Sequence, residues 1–556
     1  MTSNIRQSRR EFLRTLGLGA AAALAMPHGE HTAEAGAPPV LLCEARVLLR
    51  YEARAKKPNI LFLFSDQHNA DVLGCAGHAE VRTPHFDRLA REGTRFARAY
   101  CQDAICVPSR VAIFTGLYPR TTGVLTNGDP LAFPDRVHPL QAVLKAAGYQ
   151  TAAFGKRHLK SGGPQGSIDT WDVSATTINP KQDPSDEDYE TWVRAQGLGA
   201  AYDHDFGGNK SPLLSHVSDL PADKTAEAYT AAKTIEFLRT KRKPGQPFFL
   251  WCSFLRPHQP YTPPAAWAKQ YDPAKVRLPD SLREPPEHLP PALQRLRQSR
   301  QGGWCLGLAA EDENLYRTYI ACYYALVAEM DHYVGAILDT LKELGLDQDT
   351  IVVYAADHGD FVGRHGLSEK AAMGHNVYEE TLRVPLIVRW PGRVRQGIVS
   401  SDLVELVDLY PTILDLAGVP RPEGYRLAGR SLAAALAEGK PAGRKFAVSE
   451  NWSQIAIIGE RYKLAVWQEP PAPPDGSPRR LHDYRSFGDM LFDREKDPQE
   501  LCNLAGKPEV ARAEKELREA LAAWVAATPA EGKAAVAPKG WFAKQYSAPK
   551  AKGKKG

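Results

Sequence analysis

The sequence predicts an α/β protein: a large, mixed, mostly parallel sheet flanked by helices, followed by a smaller C-terminal α+β subdomain. Three observations carry this. Short uninterrupted apolar runs alternate with helical patterns along the first 420 residues, as a sheet covered on both faces requires. Several of those runs end in charged or polar residues. From about residue 420 the segments shorten. A chain of 556 residues is also too long for one small core.

The elements follow in order. Asn59 to Phe64 reads as a buried strand ending in Ser65-Asp66-Gln67. Thr83 to Ala90 starts a helix, with Pro84 in its first turn. Gln150 to Phe154 is a second strand, Phe248 to Phe254 a third, and Ile351 to Ala355 a fourth, which runs into Asp357-His358. Tyr316 to Leu344 is a long amphipathic helix, and Pro385 to Arg389 is a fifth strand. Ligands of such sheets bind beyond the strand C-termini, so the polar residues after the first four strands are expected at one edge. Residues 260–300, rich in Pro and Arg, read as a surface excursion around the site mouth. A helix near 508–526 closes the fold, and the Lys-, Ala-, Pro- and Gly-rich residues 531–556 read as a disordered basic tail.

Composition narrows the function. The net charge of +5 is dispersed, with no long basic stripe before the extreme C-terminus, which argues against nucleic-acid binding. Eight scattered cysteines do not make a disulfide scaffold. Spacing alone leaves Cys75–Cys101 and Cys101–Cys106 pairings open. Ser8-Arg9-Arg10-Glu11-Phe12-Leu13, followed by the apolar run Leu16 to Met26 and the small-residue site Ala33-Glu34-Ala35, resembles a twin-arginine export signal. That run is too short for a permanent membrane span, and no later stretch reaches the ~20 apolar residues one needs. The expected organisation is an export signal over 1–35, a linker over 36–56, a catalytic domain over 57–420, a C-terminal subdomain over 421–530 and the tail over 531–556. The mature protein is expected outside the cytoplasm, in the periplasm or secreted.

Cys106-Val107-Pro108-Ser109-Arg110, continued by Thr115-Gly116-Leu117-Tyr118-Pro119, resembles the signature of the formylglycine-dependent sulfatases of the alkaline phosphatase superfamily. In order come Gly155-Lys156-Arg157-His158-Leu159, similar to the family's G-K-W-H-L with Arg in place of Trp, and Pro257-His258-Gln259-Pro260, similar to P-H-x-P. Met490 to Asp493, with Asp497-Pro498 and Asn503-Leu504, resembles a family segment in a small antiparallel sheet, where these residues make turns. The resemblance runs from about Lys57 to about residue 525. It implies an alkaline phosphatase-like fold and hydrolysis of a sulfate ester, either a sulfated glycan or an aryl or alkyl sulfate. It also implies that an installing enzyme oxidises Cys106 to formylglycine before export.

The need for such a group is chemical. A hydrated aldehyde carries two hydroxyls on one carbon. One attacks sulfur and becomes sulfated; deprotonating the other returns the aldehyde and expels sulfate. A serine could be sulfated but has no such release.

By the same resemblance, Asp66, Gln67, Cys106, Asp357 and His358 hold one divalent ion. Oxygen-rich donors favour Ca²⁺, with Mg²⁺ or Mn²⁺ as alternatives. Many sulfatases have Asp where this chain has Gln67 and Asn where it has His358, a change that lowers ligand charge and softens the site. Arg110, one helical turn after Cys106, can steady the hydrate and the metal ligands. Lys156 and His158 contact the hydrate or sulfate, and His258 protonates the leaving oxygen. One landmark is displaced. Counted from His365-Gly366-Leu367, the family's sulfate-binding lysine is Lys370; counted back from Tyr378-Glu379, its position falls on Gly374, beside His375. Lys370 is favoured because clustered cations must offset a dianionic transition state, with His375 the alternate. Two other readings stand beside the sulfatase: a phosphonate monoester or phosphodiester hydrolase, and a non-catalytic sulfated-carbohydrate-binding relative. Intact Cys106, Arg110, Asp357 and His258 argue against the last.

Overall fold

β1 (Asn59–Asp66) shows why the main sheet forms where it does: all eight of its residues are buried, and they alternate between two cores. Ile60, Phe62 and Phe64 enter one core, and Leu61 and Leu63 the other. Each such side chain contributes about 1.5–3 kcal/mol by leaving water. The computed structural model describes residues 57–530 except 128, 130, 132–135, 160–169, 173–186, 207–213, 299–311, 372–375, 452–453 and 468–487. The expected export signal, linker and tail therefore lie outside the described residues, as do His375, Cys43 and Cys305.

The other strands of the main sheet are β2 (Thr94–Tyr100), β3 (Gln150–Gly155), β4 (Thr170–Asp172), β5 (Phe248–Pro257), β6 (Thr350–Ala356), β7 (Arg383–Val384), β8 (Leu386–Arg389) and β9 (Ile398–Glu405). They lie in the order β4-β3-β5-β1-β6-β8-β2-β7, with β9 on β2. β3, β5, β1 and β6 are neighbours and mutually parallel, so their C-terminal ends open on one edge, as the sequence predicts. The fifth expected strand exists as β8, but it runs antiparallel to β6. β2, β4, β7 and β9 were not expected from the sequence.

The long helix (Glu313–Glu343) covers one face through Met330, Val334, Ile337 and Leu341, packed with Leu61, Leu250 and Val352. The helix Cys106–Thr115 covers the other through Ile113 and Phe114, which join Phe62, Trp251 and Val353. The helix expected after Thr83 is Pro84–Arg91. Toward the C-terminus, β10 (Ala447–Glu450), β11 (Gln454–Ile458), β12 (Tyr462–Trp467) and β13 (Met490–Asp493) form an antiparallel sheet. Its Ile455, Ile457 and Leu491 pack on Leu517 and Leu521 of the helix Ala511–Ala527. Lys463 of β12 pairs with buried Glu500, which accepts the backbone N–H of Glu379. Asn503 accepts from the Leu491 N–H, the turn role expected of it.

The excursion after residue 260 is a series of short helical turns among its described residues. It is fastened near the site: Glu284 bonds His365 Nδ1 at 2.5 Å, and Ser281 accepts the His365 N–H. Among the described residues no helix is long and apolar enough to cross a membrane.

Candidate active site

Four strand ends deliver the polar groups. Asp66 ends β1, Lys156 follows β3, His258 follows β5, and Asp357 with His358 follows β6. The β3 end needs a glycine: Gly155 has φ +96°, and a Cβ there would meet the Ser253 carbonyl oxygen at 1.9 Å. Cys106 enters from the other face as the first residue of its helix, with the Val107 N–H bonded to Asn127 Oδ1.

Arg110 organises the centre. Its Nε donates to Asp357 Oδ2 and its Nη2 to Asp66 Oδ2, both at 2.9 Å, while Nη1 donates to the Lys156 carbonyl at 2.8 Å and to Ser253 Oγ at 3.2 Å. The guanidinium and both carboxylates are fully buried. Lys156 Nζ adds a 2.6 Å contact to Asp66 Oδ2. Burial works against the Asp66 charge, but Lys156, His258 and Arg110 together hold the carboxyl well below its usual range. Ser109 Oγ donates to the Asp357 carbonyl at 2.6 Å, tying the Cys106 helix to β6.

The cations thus occupy both Oδ2 atoms, and the Oδ1 atoms turn elsewhere. Asp66 Oδ1 lies 3.9 Å from His358 Nε2, Asp357 Oδ1 lies 3.8 Å from it, and Cys106 Sγ is 3.8 Å from Asp66 Oδ1 and 3.3 Å from His358 Nε2. His358 Nδ1 donates to the Gly359 carbonyl at 3.0 Å, which leaves the Nε2 lone pair facing the carboxylates. Two carboxylate oxygens and an imidazole nitrogen at these separations fit one divalent ion bonded at ~2.0–2.6 Å. Burial, then Asp66, push the unmodified Cys106 thiol up to about 12, the reverse of an activated thiolate. Cys75, Cys101 and Cys106 are all free, so neither pairing left open by spacing is present.

Gln67 is turned away from this donor group. Its backbone is left-handed, φ 66°, and its N–H donates to Asp357 Oδ1 at 3.0 Å. Its Nε2 donates to Asp360 Oδ2, Gln259 Oε1 and Tyr261 Oη at 2.8–3.0 Å, and its Oε1 accepts from Lys370 Nζ at 2.9 Å. The side chain predicted as a ligand is thus a partner of Lys370. Lys370 Nζ also donates to Glu369 Oε1 at 2.8 Å and lies 3.4 Å from His258 Nε2, which brings it into the site.

His258 Nδ1 donates to the Gln259 carbonyl at 2.7 Å, and its Nε2 stands 3.9 Å from Asp66 Oδ1. Burial, then Lys156 and Lys370, push this imidazole well below its ordinary value, so it is neutral here. His158 is held low in the same way, by burial, Lys156 and Arg110, and its Nδ1 is buried without a hydrogen bond. The backbone at His258 is braced by Arg256, which donates to the His258 carbonyl and to Thr262 Oγ1, both at 3.1 Å, while its own N–H bonds Glu227.

Several of these groups escape sequence reasoning. Asp360 accepts from Gln67, Tyr261 and Tyr319 and so anchors the side chain that holds Lys370. Its signal was its place three residues after Asp357. Ser253 and Glu369 carried none.

A family model described as Sulfatase matches residues 58–419. The chain is similar to an ulvan-active sulfatase of Formosa agariphila, 28% identical over 86% of this chain and 83% of that one. Among solved structures, one in complex with D-glucosamine-2-N,6-O-disulfate matches with TM-score 0.64 and 26% identity, over 84% of this chain and 97% of that one. A phosphonate monoester hydrolase of Agrobacterium radiobacter matches with TM-score 0.70 and 25% identity, over 85% and 96%.

Proposed function

The chain belongs to the sulfatase family of the alkaline phosphatase superfamily, and we propose that it hydrolyses its sulfuric ester with a formylglycine derived from Cys106 beside one divalent ion. The observation that carries this reading is the position of Cys106 Sγ, 3.3 Å from His358 Nε2 and 3.8 Å from Asp66 Oδ1 at the start of a helix. Asp66, Asp357 and His358 would hold the ion, and Ca²⁺ is favoured over Mg²⁺ or Mn²⁺. When bound, the ion polarises a sulfate oxygen and lowers the cost of ionising a nearby hydroxyl.

The chain's own groups have separate tasks. Arg110 fixes both carboxylates and cancels part of their charge. Lys156 and Lys370 receive the sulfate oxygens, where they offset charge developing in transfer. His258, neutral in the free protein, takes up a proton from solvent as the anion binds and passes it from Nε2 to the departing alcohol oxygen. His158 takes the proton from the second hydroxyl of the hydrate, so that the carbon–oxygen bond to sulfate breaks.

A sulfated sugar is the proposed substrate. Support comes from the likeness to the ulvan-active sulfatase and to the structure holding a sulfated glucosamine. Export through the twin-arginine signal, after Cys106 is oxidised in the cytoplasm, belongs to the same proposal. The TM-score of 0.70 with a phosphonate monoester hydrolase supports a second reading, hydrolysis of phosphonate or phosphate esters at the same site. Kinetics on matched sulfate, phosphonate and phosphodiester substrates separates the two. The sulfatase reading expects the highest kcat/KM on sulfate, and a higher value on phosphonate would replace it.

A further inference from the structure

Among the described residues, a second group of His and Asp side chains at metal-ligand spacing lies outside the active site. His204 and Asp205 end the helix Gly199–Phe206, and His216 and Asp219 lie on the segment that follows. His204 Nδ1 stands 3.0 Å from Asp219 Oδ2, and His216 Nε2 stands 3.0 Å from Asp205 Oδ1. The two imidazole rings are 4.4 Å apart and tilted by 34°. One ligand atom from each of His204, Asp205 and His216 falls within 4.8 Å of the others.

We propose that His204, Asp205 and His216 form a second divalent-metal site, for Zn²⁺ or another imidazole-preferring ion, with Asp219 bonded to His204 Nδ1 and orienting its ring. Two imidazole nitrogens and one carboxylate make a three-donor set that leaves the fourth position of a tetrahedral zinc to water. Ligand separations of about 3.3 Å follow from bonds of ~2.0–2.1 Å in a tetrahedron, close to the 3.0 Å between His216 Nε2 and Asp205 Oδ1. The set is preorganised on one side: Asp205 is buried, and its Oδ2 accepts from Ser218 Oγ at 2.5 Å, which leaves Oδ1 toward His216. The other side is open to incoming ions, because the His204 and Asp219 side chains are 54% and 70% exposed.

The position gives the site a consequence. Residues 214–218 run beside the chain that follows His258: Tyr261 N–H donates to the Leu214 carbonyl at 2.8 Å, and Ser218 N–H to the Pro263 carbonyl at 2.9 Å. An ion joining the helix to His216 would fasten this segment, and with it the backbone leaving the active site.

The test uses the full chain saturated with Ca²⁺, dialysed to equilibrium against Zn²⁺, with metal counted by elemental analysis. The wild type is expected to hold one more zinc per chain than His204→Ala/His216→Ala, with equal calcium in both. His204→Ala and Asp219→Asn change exposed side chains, so the fold is not at stake. Asp219→Asn is expected to weaken zinc by the ~10–100-fold typical of losing a ligand's supporting hydrogen bond, and His204→Ala by more. Co²⁺ in place of zinc is expected to give the intense visible absorption of a tetrahedral centre in the wild type only. Equal zinc in wild type and double variant, or a cobalt spectrum that the substitutions leave unchanged, would overturn the proposal.

Discussion

Cys106 Sγ lies 3.3 Å from His358 Nε2, although 252 residues separate the two in sequence. The contact exists because the helix Cys106–Thr115 packs its apolar face on the sheet while Ser109 and Arg110 bond the end of β6. Arg110 is therefore a positioning residue. Breaking a buried ion pair by removing one partner costs about 3–5 kcal/mol, because the remaining charge stays buried. Arg110→Ala is expected to lower unfolding stability by about that much and to abolish divalent-ion retention. Urea unfolding and elemental analysis check this; a stability loss under about 1 kcal/mol would mean that the carboxylates find other partners.

Lys370 and His375 compete for one role. Lys370 Nζ is held by Gln67 and Glu369 and faces His258, so it is placed to meet a sulfate oxygen. A charge-assisted hydrogen bond contributes about 1.5–3 kcal/mol, so Lys370→Ala is expected to reduce kcat/KM on a sulfate ester by roughly 10–100-fold. His375→Ala is expected to change it little. The reverse ranking in steady-state kinetics would transfer the role to His375.

How much of this was legible follows from the kind of signal each residue leaves. β1, β3, β5 and β6 are continuous apolar runs that end in polar residues, and such runs announce both a buried strand and a sheet edge. β2 reads Thr-Arg-Phe-Ala-Arg-Ala-Tyr, and β9 is half polar, so neither presents such a run; both lie away from the four central strands. The direction of β8 depends on its connection rather than its composition. Asp66, Cys106, Arg110, Lys156, His258 and Asp357 sit in motifs and are brought together as expected. The orientation of Gln67 was not legible, because it is set by a left-handed backbone and by Asp360, Tyr261 and Lys370 from three other segments.

His365 predicts a pH-dependent stability. Burial alone would lower its affinity for a proton, but Glu284 at 2.5 Å and Glu380 at 3.7 Å outweigh this and raise its pKa to about 9. The folded value exceeds the unfolded value of about 6.5, so the stabilisation is complete below pH ~6.5 and is lost as pH rises through ~9. It amounts to at most about 3 kcal/mol. The stability difference between the wild type and His365→Gln, measured by chemical unfolding at several pH values, is expected to shrink across that window. A difference independent of pH would show that the ring is neutral and acts by packing.

His258 should matter in proportion to how poor the leaving group is. A sugar alcohol must be protonated as the sulfur–oxygen bond breaks, whereas a nitrophenolate departs unaided. General acid catalysis contributes ~10²–10⁴-fold, so His258→Ala is expected to lose about that on a sugar sulfate and far less on nitrophenyl sulfate. His158→Ala, which impairs sulfate release, is expected to slow both. Equal losses for His258→Ala on the two substrates would make it a binding group and move the acid to Lys370 or His375.

The identity of the nucleophile is tested most directly by Cys106→Ser under excess substrate, with the intact protein followed by mass spectrometry. A serine can accept sulfate from the ester but has no second hydroxyl to expel it. The variant is expected to fold as the wild type does, to complete at most one turnover and to accumulate as a sulfated chain modified at position 106. Continued turnover at a rate comparable with the wild type, without that adduct, would contradict a formylglycine nucleophile at Cys106.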